Sequence, residues 1–77
     1  MTLIKSLSFE QARTLLTNKK VHMTAKCELF PNFDITGTVH NIFLRSGVEL
    51  ILKIKNESNN RVMDISGNMK GLAFEFV

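Results

Sequence analysis

The sequence predicts a mainly β domain with a single N-terminal α-helix, closed into a small, strongly bent, antiparallel barrel of five strands. Three observations lead there. Five segments, at about 20–30, 33–44, 48–55, 61–66 and 72–77, alternate apolar and polar residues with a period of two, which sorts one set to a core and the other to water. Only one segment, at about 9–18, carries a helical stripe. The longest alternating segment changes parity halfway along, which is what a bulge or sharp bend does to a strand that serves two walls. A helix packed on an open curved sheet is the alternative architecture.

The elements follow in order. Residues 1 to 7 read as a short strand or a loose arm. Ser8 with Gln11 three positions on matches a capping box, and Leu7 and Ala12 occupy the positions of a hydrophobic staple. Phe9, Ala12, Leu15 and Leu16 form the stripe, and Asn18, Lys19 and Lys20 suit a carboxyl end. So narrow a stripe predicts a lid over one end of the barrel. Val21, Met23, Ala25, Cys27 and Leu29 alternate with His22, Thr24, Lys26 and Glu28, the cleanest strand signal in the chain, and Phe30-Pro31-Asn32 ends it.

Between Phe33 and Lys55 the pattern is a long hairpin turning at Arg45-Ser46-Gly47. Phe33, Ile35, Gly37 and Val39 share one face, but the next apolar residues are Ile42 and Leu44. His40-Asn41 is therefore the expected bulge, and Gly37 the expected point of strong coiling. On the return, Val48, Leu50, Leu52 and Ile54 face the core while Glu49, Ile51, Lys53 and Lys55 face away. Asn56 to Asn60 is a polar hairpin loop. Met63 and Ile65 point inward on the next strand, Gly67 to Gly71 makes a tight 3₁₀-like turn, and Leu72, Phe74 and Phe76 alternate in the last strand.

Two segments resemble Sm-like proteins, small barrels of the Src-homology-three type with an N-terminal helix and five bent strands. Thr36-Gly37-Thr38-Val39-His40-Asn41-Ile42 is similar to that family's Gly-x-Val/Leu-x-x-Phe segment. Ile65-Ser66-Gly67-Asn68-Met69 is similar to its Ile-Arg-Gly-Asp-Asn turn. The resemblance implies the barrel and a link to RNA. It does not extend to the family's base pocket: Phe43 stands where the pocket Asp belongs, Gly47 where its first Asn belongs, and Ser66 where its Arg belongs.

Size and charge bound the function. Seventy-seven residues make one domain, with a 44% apolar fraction that is ordinary for a globular chain. No apolar run approaches the roughly 18 residues of a membrane span, and the N-terminus lacks the pattern of a secretory signal. One cysteine, Cys27, has no internal partner, which suits a reducing cytoplasm. The net charge of +3 and pI of about 9.4 permit contact with nucleic acid or an acidic protein.

No catalytic constellation emerges, so the chain reads as non-enzymatic, with no cofactor and no metal. His22 and His40 lie on the polar faces of two strands, and brought together with Asp34 or Glu28 they would make a metal site or an acid/base pair, although solvated strand histidines are the more ordinary reading. Cys27 falls on an apolar face, where a thiol behaves as a small hydrophobe. The expected nucleic-acid contacts are Lys53, Lys55, Arg45, Arg61 and Lys70, with Lys19 and Lys20 nearby and Phe43 or Phe30 stacking on a base. RNA or single-stranded nucleic acid is the expected partner. The competing reading is a protein-interaction module, or a small inhibitor or adaptor of the kind phages and other mobile elements encode. It would use the last strand (Leu72, Phe74, Phe76) as an open edge, to add a partner's strand or to build a homo-oligomer.

Overall fold

The computed structural model describes residues 1–77. It contains one α-helix and six strands: β1 (Thr2–Leu3), α1 (Phe9–Leu16), β2 (Lys20–Thr24), β3 (Asp34–Arg45), β4 (Glu49–Asn56), β5 (Val62–Ser66) and β6 (Ala73–Phe76). A single 3₁₀ turn, Ile4–Ser6, links β1 to the helix. All neighbouring strands run antiparallel, in the order β1-β6-β2-β3-β4-β5. No helix is long and apolar enough to cross a membrane.

The expected five-stranded barrel is corrected by this order. The sheet has six strands and is not closed: β1 and β5 are its two ends and do not pair. The physical cause is the N-terminal arm. Thr2 and Leu3 pair with Phe74 and Ala73, and the Ile4 amide donates to the Leu72 carbonyl at 2.9 Å. These residues take the edge of β6 that closure onto β5 would need. The helix therefore packs on an open, curved sheet.

Local physics accounts for the helix. Ser8 Oγ accepts from the Gln11 amide at 3.1 Å, and Gln11 Oε1 accepts from the Ser8 amide at 2.9 Å, completing the capping box. The helix stops at Leu16, two residues earlier than the stripe suggested. Thr17 Oγ1 bonds back to the Arg13 carbonyl at 2.6 Å, and Asn18 turns left-handed at φ 67°. Ala12 and Leu16 are fully buried, whereas Leu15, expected in the stripe, is 41% exposed. Ala12 and Leu16 enter one core with Ile4, Val21, Met23, Val39, Ile42, Leu52, Ile54, Ile65, Leu72 and Phe74. The helix thus adds Ala12 and Leu16 to the core it shares with the sheet, and packs chiefly against β3.

The hairpin turns and bulges where its pattern predicts, but Val48, expected on the core face, lies in the turn before β4 and is 84% exposed. Ladder pairing shifts register between Val39 and Asn41, leaving His40 as the extra residue of a bulge. The chain entering β2 docks here: the Asn18 amide donates to the Val39 carbonyl at 2.7 Å, and the Val39 amide to the Lys19 carbonyl at 2.9 Å. Ser46 and Gly47 both take positive φ at the turn, where Val48 bonds back to Arg45 at 3.1 Å.

The segment at 20–30 does not run as one strand. Ladder pairing ends at Thr24, because the Lys26 amide donates to the Lys70 carbonyl at 2.8 Å and pulls the chain out of the sheet. A tight turn follows, with the Phe30 amide bonded to the Cys27 carbonyl at 3.0 Å. Leu29, whose alternation placed it inside, is 83% exposed. Alternation continued past the point where a partner strand was there to use it.

Candidate nucleic-acid interface

The ladder register decides which expected contacts meet. Directly opposed residues of an antiparallel pair share a face. Across β3, β4 and β5 the outward rows are Phe43/Ile51/Ser66, Asn41/Lys53/Asp64 and Thr38/Lys55/Val62, with Arg45 opposite Glu49 at the hairpin end. Phe43, Arg45, Lys53 and Lys55 therefore stand on one outer face, over a stretch of about 20 Å along β4. Phe43 is not tucked under the helix. Its neighbours in sequence and register, Ile42 and Leu52, belong to the core, while Phe43 and Ile51 point the other way.

Ile51 is the residue that sequence reasoning undervalued. It sits on the polar side of β4, yet it is only 1% exposed and lies outside the main core cluster. With half-buried Phe43 directly across from it, it forms a small apolar seat on the outer face. An unbroken Leu-Ile-Leu run in β4 was the available signal, but a single apolar residue on a polar face is ordinary.

Four of the residues expected there lie elsewhere. Arg61 is exposed beside the β4–β5 loop, where its carbonyl accepts from the Asn56 amide at 2.8 Å. Lys70 lies beyond β5, in the turn before β6, tied to Lys26. Phe30 is 53% exposed in the bend before β3, at the opposite end of that strand from Phe43. Lys20 is paired with Glu57.

Acidic groups interleave with the cations. Glu49 approaches Arg45 at 3.7 Å and accepts from the Ser66 hydroxyl at 2.6 Å. Asp64 is in register with Lys53. Lys55 has Thr38 and Val62 as its cross-strand neighbours, so it is the cation with no acid opposite it.

The expected protein edge is altered by the arm. Leu72 and Phe74 are each 2% exposed and belong to the core, and β6 is covered by β2 on one side and β1 on the other. Phe76 is 51% exposed, with its ring edge-on to Phe74 at 5.6 Å.

The histidines separate as well. His40 is exposed at the bulge. His22 Nδ1 lies 2.9 Å from Glu75 Oε1, and its Nε2 lies 2.7 Å from Asp34 Oδ1. One ring thus ties β6 to β3 across β2. The Glu75 hydrogen bond first, and the Asp34 bond next, raise the His22 pKa above the usual 6.5, against some opposing desolvation. Glu28 takes no part. The two carboxylates meet opposite nitrogens of the ring, so they do not converge on a point where an ion would bind all three. Cys27 is half-buried in its turn. No family model, curated protein or solved structure matches this chain.

Proposed function

We propose that this chain is a non-enzymatic binding module that holds single-stranded RNA or DNA on the outer face of β3 and β4. The observation that carries the reading is the shared outward face of Phe43, Arg45, Lys53 and Lys55, with the ring seated beside Ile51. An aromatic ring held on a sheet face offers a platform for a base, and flanking cations track the phosphates. The likeness of residues 36–42 and 65–69 to Sm-like segments supports the same partner class. The family's base pocket is not part of the proposal, because Phe43, Gly47 and Ser66 replace its residues.

The test is fluorescence anisotropy with mixed-sequence RNA and DNA across a salt series. Contacts from Arg45, Lys53 and Lys55 give a slope of log affinity against log salt of about −2, at about −0.7 per phosphate on a single strand. Phe43→Ala removes one stacking platform and weakens binding by about 1–3 kcal/mol. No binding at low salt ends the reading.

The second reading is strand addition at the open ends of the sheet. It is favoured by the lack of any pairing beyond β1 and β5 and by exposed Val62, Met63 and Leu3 on those end strands. Sedimentation of the parent and of Val62→Lys tests its self-association form. A parent that stays monomeric at every concentration rules that form out.

A further inference from the structure

We propose that the outer face over β6 holds a small amphiphilic anion, an aliphatic monocarboxylate, with its tail on Ala73 and its head between Lys26 and Lys70. The site is independent of the β3–β4 face. It is a groove of about 490 Å³ beside the β1 end of the sheet, within the size range of small-molecule sites. Leu3, Ala73 and Thr24 form one row across β1, β6 and β2. In the middle of that row Ala73 is small, so the larger residues on either side rise above it and leave a trough. Leu3 is one wall. Met1 closes an end by reaching across to Thr24, whose hydroxyl lies 3.5 Å from the Met1 sulfur.

The other end carries the charge. Gly71 brings Lys26 and Lys70 together there. Its φ is +69°, and a β-carbon on it would stand 2.8 Å from Lys26 Cβ, so only glycine lets the two loops meet. The Lys26 amide then bonds to the Lys70 carbonyl, fixing both lysine stems at the same mouth. Neither lysine forms an ion pair within the chain; the cations that do are Lys20, His22 and Arg45. The groove therefore offers an apolar floor and two uncompensated positive charges at one end. A ligand with one anionic head and an apolar tail satisfies both. A cation or a neutral alcohol of the same length satisfies only the floor.

The experiment is a ¹H–¹⁵N NMR titration of the whole chain with octanoate below its aggregation threshold, with 1-octanol and octylammonium in parallel. Octanoate is expected to shift the amides of Leu3, Lys26, Gly71 and Ala73, and to bind at least about tenfold more tightly than either control. The double variant Lys26→Gln/Lys70→Gln should lose about tenfold in affinity while keeping the parent's dispersed spectrum. Ala73→Val, which fills the trough and suits a strand, should weaken binding with both lysines intact. The proposal is overturned if octanoate shifts none of these residues, if 1-octanol binds as well, or if both variants bind as the parent does. An acidic peptide that shifts this groove where octanoate does not would also overturn it, and would give the site to a protein partner.

Discussion

Replacing Gly37 with alanine tests the account of how β3 and β4 come together. Gly37 is buried in the middle of the sheet, opposite Val21 on β2 and Asn56 on β4. A β-carbon there would lie 2.3 Å from the Lys55 carbonyl oxygen and 2.8 Å from Ile54 Cγ2. Real β-carbons essentially never approach within 3.0 Å, so the two backbones would have to part by the difference between 2.3 and 3.0 Å, about 0.7 Å. The obstacle is main chain and cannot rotate away. Overpacking of this kind costs about 1–3 kcal/mol, and the immovable carbonyl argues for the upper end. Alanine recovers about 0.5–1 kcal/mol through the lower entropy of its unfolded chain. The net loss is about 2 kcal/mol, or about 8–16 °C in melting temperature for a domain of this size. Urea unfolding followed by circular dichroism reads it directly. The midpoint should fall while the m-value stays at the parent's, since the surface exposed on unfolding is the same. A Gly37→Ala midpoint equal to or above the parent's would refute the close approach of the two strands.

Three further outcomes are expected. His22 has a folded pKa above its unfolded value of 6.5, so its contribution is fully present below about 6.5 and is lost as pH rises through the folded pKa. Parent stability should decline relative to His22→Gln on crossing that window, and an NMR titration midpoint for His22 at or below 6.5 would contradict the clasp between Glu75 and Asp34. Leu15 and Leu16 share the sequence stripe but not the core, so Leu16→Ala should cost about 2–5 kcal/mol and Leu15→Ala much less; equal losses by denaturant titration would mean the helix is rotated. Ser8→Ala removes the hydroxyl that accepts from the Gln11 amide and should cost about 1 kcal/mol, seen as a lower urea midpoint; an unchanged midpoint would show that the cap contributes nothing to this short helix.

Legibility of the outer face followed the same division. The parity of β3 and β4 sufficed to put Lys53 and Lys55 on the face away from the core. With the bulge read at His40 it put Phe43 there too, but it could not show Ile51 buried beside that ring. Nor could it show Glu75 beside His22, which requires knowing that β6 lies against β2. Leu72 and Phe74 looked like edge residues only while β6 was assumed to have a free side.

The amino-acid order alone determined what near neighbours can settle. The cap at Ser8 and the turn at Ser46-Gly47 rest on sterics and hydrogen bonds within a few residues, and the bulge at His40 rests on a parity that cannot be changed without turning side chains out of the core. The tertiary structure alone decided whether the sheet would close. Every strand edge offers the same main-chain donors and acceptors, so sequence chemistry hardly distinguishes one partner from another. The arm at Thr2–Leu3 reached β6, and Lys26 was drawn to Lys70 and left the ladder. The first left the sheet open where a barrel was expected, and the second ended β2 early.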